Sequence, residues 1–347
     1  MKKNNPFTLT FGKQPGEYIS RYENTDTIIS TFEADNPISQ AYLIEGVRGS
    51  GKTVLMTTIA NILSERDDEW VVVDLNSTQD LIEEFALRLT SNCKKFPDIV
   101  KAGFNVSVAG FGVGINGNGQ IQDSVSVIEQ ILTSLKKKNK KVLITIDEAM
   151  PNDNMKHFAS QFQIFIRKDY PIFLLMTGLY ENIYAIQNDP ALTFLLRTPK
   201  INMEPLSIPQ ITKQYKAIFK IEQEDAYKMA LITKGYAFAF QALGALYFEY
   251  NDSLEWDEIL SKLDDLLDDF VYKKIWESLS DKDREIIRVI GSDKASVSDI
   301  CEKLQISSTS FPRYKERLLK KGILSVPSRG KVELSLPRLA EVVELYP

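Results

Sequence analysis

The spacing of apolar positions changes twice along this chain, and each change marks a different architecture. Up to about residue 206, short continuous apolar runs recur: Ala41-Tyr-Leu-Ile44, Trp70-Val-Val-Val-Asp-Leu75, Lys141-Val-Leu-Ile-Thr-Ile146 and Pro171-Ile-Phe-Leu-Leu-Met176. Runs of strand length without polar alternation predict strands buried on both faces of a sheet. Between them apolar residues return at helical spacing, as at Leu55, Ile59 and Ile62, at Leu81, Phe85, Leu87 and Leu89, and again over 123–138. Strands alternating with helices predict a parallel sheet flanked by helices. One segment, 104–115, alternates with period two among clustered glycines. It predicts a β-hairpin that covers a sheet edge or touches a partner.

From about residue 207 the strand signals stop and four helical stretches follow. The aromatic-rich segment 235–248 predicts a packing helix, and the acidic stretch 251–269 a solvated helix face or linker. The end of the chain has a third grammar. Ser280-x-x-Asp283 and Ser296-x-x-Asp299 both look like capping boxes, with Asp replacing the usual Glu. They predict helices over 281–290 and 297–304. A third helix over 310–321 stops at Gly322, a natural residue beyond a helix end. Alternation over 323–336 around Pro-Ser-Arg-Gly-Lys predicts a hairpin, and three helices followed by a hairpin make a winged helix-turn-helix. The expected organisation is an α/β core over 1–206, an all-α lid over 207–272 and the winged helix over 273–347.

Composition narrows this without changing it. At 347 residues, 44% apolar and 26% charged, the chain has room for two or three ordinary globular domains. No apolar run reaches the length of a membrane span, and the N-terminus carries no signal-type stretch, so no membrane partner is expected. Cys93 and Cys301 stand far apart without metal-type spacing, and a single histidine, His157, excludes a His-rich metal site. A reducing, cytoplasmic setting is expected. The net charge of −5 argues against a chain that coats nucleic acid along its whole length.

The candidate chemistry begins at Gly46-Val47-Arg48-Gly49-Ser50-Gly51-Lys52-Thr53, an intact G-x-x-x-x-G-K-T phosphate loop between a predicted strand and a predicted helix whose first turn includes Val54. Side chains at the glycine positions would stop the backbone closing on phosphates. The helix start offers N–H groups to an anion, and Lys52 adds a point charge at the outer phosphates. The segment therefore predicts binding of a nucleoside triphosphate. Thr53 can ligate Mg²⁺, and Asp147, ending an apolar strand, is placed to hold the metal's water shell. Glu148 follows and can accept a proton from the attacking water. Thr177 ends the next apolar strand and is expected beside the γ-phosphate.

In order along the chain, the loop, the Asp-Glu strand, the Thr-ending strand, the helical lid and the winged helix resemble one family over residues 15–335. It is the AAA+-type P-loop ATPases of the origin-recognition initiator and archaeal-ATPase branch, close to the signal-transduction NTPases. The resemblance implies that Tyr18, Ile19 and Arg21 belong to a segment that cups adenine. It also implies that Arg197, ahead of Ile201 and Glu204-Pro205-Leu206, acts as an arginine finger on its own or a neighbouring subunit's γ-phosphate, which would make a homo-oligomer. The chain departs from the family in its lid. Phe238 stands near the expected phosphate-sensing arginine, and Ala237 replaces the proline of the signalling relatives' Gly-x-Pro, so slow turnover is expected.

Between Ser307 and Lys331 lie Arg313, Lys315, Arg317, Lys320, Lys321, Arg329 and Lys331 against one acid, Glu316, a local charge of +6. Phosphate contacts supply most DNA affinity, and a recognition helix plus a wing tip is where such charge belongs. Ser308, Thr309, Arg313, Arg317, Arg329 and Lys331 are the expected contacts to double-stranded DNA. The function expected is Mg²⁺-dependent ATP binding and hydrolysis coupled to DNA binding or assembly. The alternative is a nucleotide-dependent switch whose winged helix docks a protein, with little turnover.

Overall fold

The computed structural model describes residues 4–10, 15–66, 69–93, 114–115 and 121–346. By contact it divides into two compact units. A sheet unit comprises Arg21–Glu45 and Lys52–Asn202, and a helical unit comprises Met1–Ser20, Gly46–Gly51 and Met203–Pro347. This grouping differs from a run of three consecutive domains, because the N-terminal segment and the glycine loop pack with the C-terminal helices.

The sheet unit runs α1 (Tyr22–Glu33), β1 (Ala41–Glu45), α2 (Lys52–Ser64), β2 (Trp70–Asn76), α3 (Leu81–Asn92), the short β3 (Gly114–Ile115) and β4 (Ile121–Gln122), then α4 (Ser124–Lys137) and β5 (Lys141–Asp147). It continues with α5 (Asp153–Arg167), β6 (Ile172–Gly178), α6 (Tyr180–Gln187), an irregular 3-10 segment (Pro190–Arg197) and β7 (Lys200–Asn202). Five strands form one parallel sheet in the order β2-β5-β6-β1-β7. All residues of β1 and β6 are buried, as their unbroken apolar runs require. Each fully buried Leu, Ile or Phe contributes about 2 kcal/mol over an exposed one. The hairpin expected over 104–115 lies outside the described residues except for Gly114 and Ile115, which pair antiparallel with β4.

Polar side chains fix the helix starts. Asp80 accepts from the Ile82 and Glu83 amides at 3.0 Å, Asp123 from Ser126 at 2.8 Å and Asn152 from Met155 at 2.8 Å. The amide hydrogen bond from Ser126 holds the Asp123 carboxyl below the ordinary carboxylate range. Phe32, Tyr42, Trp70 and Phe173 pack together, with ring centroids 5.0–5.7 Å apart. Lys141 lies over the Trp70 and Phe173 rings and donates to the Phe32 and Glu33 carbonyls at 2.9 and 3.1 Å, placing a cation at the end of α1.

The helical unit contains α7 (Ile208–Phe219), α8 (Gln223–Ile232), α9 (Ala237–Tyr250) and α10 (Trp256–Leu267), a π-helical turn (Asp268–Tyr272) and α11 (Lys273–Glu277). Phe238 through Leu246 are all buried, so the aromatic-rich helix is a packing element. Phe7 explains why the N-terminal segment joins this unit. Its ring packs on Tyr215, Phe219 and Phe240, and a Cβ at Gly244 would meet it at 2.5 Å. The acidic helix α10 buries Ile259, Leu263 and Leu267. Not all acids of the 251–269 stretch face only solvent: Asp264 of α10 holds Arg338 through both carboxylate oxygens, and Asp268 of the following turn holds the Tyr346 hydroxyl.

The chain ends in α12 (Asp281–Ile290), β8 (Ala295–Ser296), α13 (Val297–Lys303), α14 (Phe311–Lys320), the hairpin β9 (Leu324–Ser328) and β10 (Lys331–Leu334), and α15 (Leu339–Val343). The strands form an antiparallel sheet in the order β8-β10-β9, which follows and interleaves with three helices. The Ser280–Asp283 capping box is present. The one expected at Ser296 is not. Its backbone is drawn into β8 opposite Lys331, and its hydroxyl pairs with Ser298 at 2.5 Å.

Candidate nucleotide site

Parallel pairing sets the site within the sheet unit. β6 lies between β1 and β5, in register Ile44↔Thr177 and Ile146↔Met176, so the carboxyl ends of the three strands emerge side by side. In open α/β sheets ligands bind outside those ends. Asp147 ends β5, and three neutral donors converge on its carboxylate. Thr53 Oγ1 donates to Oδ2 at 2.9 Å, the Glu148 amide to Oδ1 at 3.1 Å, and the Thr177 hydroxyl also to Oδ1. Thr177 is fully buried and accepts a second bond from the Glu148 amide at 3.2 Å. Thr53, Asp147 and Thr177 are thereby brought together. The pair of a threonine hydroxyl and a carboxylate is an all-oxygen donor set of the kind a hard divalent cation takes.

Glu148 adopts φ of +50°, the left-handed region that side chains enter at a cost, and its side chain is exposed. The left-handed turn takes it off the line of β5 immediately after Asp147. Lys52 opens α2. Arg197 ends the 3-10 segment and is exposed, while Leu192 and Leu195 anchor that segment and the buried Gln187 Nε2 donates to the Leu195 carbonyl at 2.9 Å. Arg21 immediately precedes α1, whose Ile28, Ile29 and Phe32 are buried.

The loop Gly46–Gly51 belongs to the helical unit. Gly49 and Gly51 take φ of +74° and +90°, which only glycine adopts cheaply. The Ser50 amide closes the turn on the Val47 carbonyl at 3.3 Å. Two donors at the start of α9 reach the loop: Tyr236 Oη to the Arg48 carbonyl at 2.5 Å, and the Phe238 amide to the Gly49 carbonyl at 3.1 Å. Burial pushes the Tyr236 phenol far above its ordinary value, so it stays a neutral donor. Tyr18 and Ile19 are half-buried in this unit, with Ile19 against its core.

Among the C-terminal candidates, Ser308, Thr309, Arg313, Arg329 and Lys331 are exposed. Arg317 differs. Its guanidinium binds the buried Asp283 at 2.6 and 3.3 Å and the Ser280 hydroxyl at 3.1 Å. Lys320 is held by Glu316 at 2.6 Å, so at least these two of the seven expected cations are engaged within the module.

Sequence reasoning missed two residues. Tyr236 stood in plain view two positions before the residue compared with a lid arginine; the Gly-Tyr step that opens a helix was the available signal. Glu45 ends β1 immediately before the loop and is buried, with Lys200 Nζ 3.6 Å away and Oε2 without a hydrogen bond. A carboxylate closing an otherwise apolar strand could have been flagged. Among the described residues no group of three or more His, Cys, Asp or Glu side chains gathers as a metal centre, and no helix is long and apolar enough to cross a membrane.

A phosphate-loop sequence at the end of β1 and an acidic residue at the end of β5, in a parallel sheet of this strand order, define a P-loop nucleotide-binding fold. Residues 39–184 match the family model described as AAA domain, and residues 269–343 match a domain of unknown function. No curated protein matches the chain. Among solved structures, a Walker-type ATPase of Pyrococcus abyssi is 15% identical, with 94% of this chain and 96% of that one covered at a TM-score of 0.64. The ORC2 protein of Aeropyrum pernix, in ADPNP–ADP complexes, is 14% identical over 99% and 97% at 0.63. The Cdc6p protein of Pyrobaculum aerophilum is 15% identical over 96% of each chain at 0.50. Residues 39–184 thus resemble an AAA domain, and the chain shares the fold of these solved structures.

Proposed function

We propose that this protein is a Mg²⁺-dependent ATP-binding protein and slow ATPase that couples its nucleotide state to double-stranded DNA through residues 273–347. The observation that carries the reading is Asp147, a carboxylate held, among the described residues, by three neutral donors, two of them the hydroxyls of Thr53 and Thr177. In this reading residues 1–206 are the nucleotide core and 207–272 its lid. The backbone of Gly46, Val47, Arg48, Gly49, Ser50 and Gly51 wraps the phosphates, Lys52 balances their charge, and Val54 follows in the first turn of α2. Tyr18, Ile19 and Arg21 flank the adenine.

Thr53 and Asp147 would hold Mg²⁺, which supplies charge neutralisation on the phosphates. Asp147 keeps the Thr53 hydroxyl oriented, and Thr177 keeps Asp147 oriented in turn. The Glu148 carboxylate takes the proton of the attacking water, and its left-handed backbone fixes where that carboxylate starts. Thr177 stands at the γ-phosphate. The exposure of Arg197 suits a finger reaching a second copy, and turnover per protomer that rises with protein concentration would support that role. Equilibrium dialysis of labelled ATP with and without Mg²⁺ tests the core reading; no uptake by folded protein would end it.

The DNA arm rests on Ser308, Thr309, Arg313, Arg329 and Lys331, all exposed on one module. Salt-dependent retention on duplex DNA, lost on Arg313→Glu with Arg329→Glu, is the expected result. A second reading, a switch with a protein partner and little turnover, is favoured by the engagement of Arg317 with Asp283, which takes one cation from the expected DNA face. Duplex binding absent at low salt would decide for it.

A further inference from the structure

The turn that wraps phosphates in the proposed reading has an outer side, and that side is occupied. A backbone closing on an anion turns its N–H groups inward and leaves carbonyls facing out. The carbonyls of Arg48 and Gly49 accept the Tyr236 hydroxyl and the Phe238 amide, and the fit is close. A Cβ at Gly49 would stand 2.3 Å from Tyr236 Oη and 3.0 Å from Phe238 Cβ. Tyr236 itself cannot drift. Its amide bonds the Thr233 carbonyl at 2.8 Å, and the carbonyl of the preceding Gly235, at φ of +75°, accepts from the Leu206 amide at 2.7 Å across a gap where a Cβ would meet Leu206 at 2.4 Å.

The same loop touches the C-terminal module. Gly322, at φ of +65°, follows α14, and a Cβ there would stand 2.5 Å from Val47 Cγ1. Gly322 is braced from both sides: its amide bonds the Leu319 carbonyl at 2.9 Å, and Ser335 Oγ donates to its own carbonyl at 2.6 Å. Lys234, two residues before Tyr236, reaches the Leu334 carbonyl at 2.9 Å. One short turn is therefore gripped by the start of the lid helix and abuts the end of the helix expected to read DNA.

We infer that Tyr236 is a positioning residue for the phosphate loop and that Val47 against Gly322 relays the loop's conformation to α14. The inference rests on the nucleotide-binding reading above. A hydroxyl donating to the Arg48 carbonyl polarises that peptide and strengthens its N–H as a donor to an anion. The lid thus senses phosphate through the loop's backbone, in place of the arginine that Phe238 displaces. Because binding couplings are reciprocal, tightening of the loop by nucleotide shifts α14, and a ligand on α14 shifts nucleotide affinity by the same factor.

The test uses the full chain and Mg²⁺-ATP as probe, with affinity from titration calorimetry and hydrogen–deuterium exchange read over residues 311–323. Tyr236→Phe keeps the ring and removes one donor, so ATP affinity should fall about five-fold, while the fold, checked by circular dichroism, persists. ATP should change exchange over 311–323 in the wild type. Gly322→Ala should abolish that change through collision with Val47, and Gly322→Ala with Val47→Ala should restore it. Backbone strain at Gly322 alone would not be relieved by the second substitution. Unchanged exchange on ATP binding, or a double variant no better than Gly322→Ala, overturns the relay. Unaltered affinity in Tyr236→Phe removes the positioning role. A wild type that binds no ATP ends the nucleotide reading and this inference together.

Discussion

Asp147 in the sheet unit and Asp283 in the C-terminal module are built alike up to a point. Each accepts one or two hydroxyls and a backbone amide: Thr53, Thr177 and the Glu148 N–H for Asp147, and Ser280 through both its hydroxyl at 2.7 Å and its amide at 3.3 Å for Asp283. They part over one group. Asp283 also holds the Arg317 guanidinium at 2.6 Å, and it is 1% exposed. Its charge is cancelled where it stands, which makes it a fastener between α12 and α14. Among the described residues, the donors that orient Asp147 are neutral. The same short polar geometry is structural in one unit and, in the proposed reading, would face Mg²⁺ in the other.

The largest effect should come from Glu148→Gln. Removing a general base costs about 10²- to 10⁴-fold in rate. ATP should stay bound, because the amide keeps the shape and the left-handed backbone is independent of the side-chain charge. Phosphate release set beside calorimetric affinity checks this, and unchanged turnover would remove Glu148 from the base role. Next comes Lys52→Ala, expected to weaken ATP binding about 100-fold through loss of a charge-assisted contact. Equilibrium dialysis reads it directly.

Asp147→Asn and Asp283→Asn should then give opposite results. The first keeps the two contacts at Oδ1 and replaces the one at Oδ2 with an amide N–H that can donate to the Thr53 hydroxyl, so melting should shift little, while the Mg²⁺ dependence of ATP affinity disappears. The second leaves Arg317 without its partner and weakens the start of α12. It should cost about 2 kcal/mol of stability, less than a fully buried pair because the arginine is partly solvated, and leave ATP affinity intact. Calorimetry and thermal melts on both variants separate them. Equal stability losses would erase the distinction between fastener and metal-facing carboxylate.

These residues also mark how far sequence carried. The strands were legible because β1, β5 and β6 are unbroken apolar runs and the sheet buries both their faces. The loop and the Asp147-Glu148 pair were legible because their chemistry is local in sequence. Contacts between residues far apart in the chain were not. Nothing in the spacing of Arg317 says that it will meet Asp283 34 residues away instead of solvent. Ser296-x-x-Asp299 has the same letters as a capping box, yet strand pairing with Lys331 outcompetes it. Tyr236 was not legible because its partner is a main-chain carbonyl, which carries no sequence signature.

Glu45 is the intermediate case between the two aspartates and gives the smallest effect. It is buried, Lys200 lies 3.6 Å away, and among the described residues Oε2 has no hydrogen-bond partner. Desolvation outweighs that attraction and holds the carboxyl above the ordinary glutamate range. The folded chain therefore keeps this proton at pH values where the unfolded chain has released it. Stability must then fall as pH rises from the ordinary range through the folded value, and level off above it. Glu45→Gln removes the ionisation and keeps the shape. Its melting temperature should match the wild type near about pH 4, where both side chains are neutral, and exceed it increasingly towards neutral pH. A difference that stays constant with pH, or a variant less stable than the wild type at neutral pH, would mean that Lys200 cancels the charge of Glu45 as fully as Arg317 cancels that of Asp283.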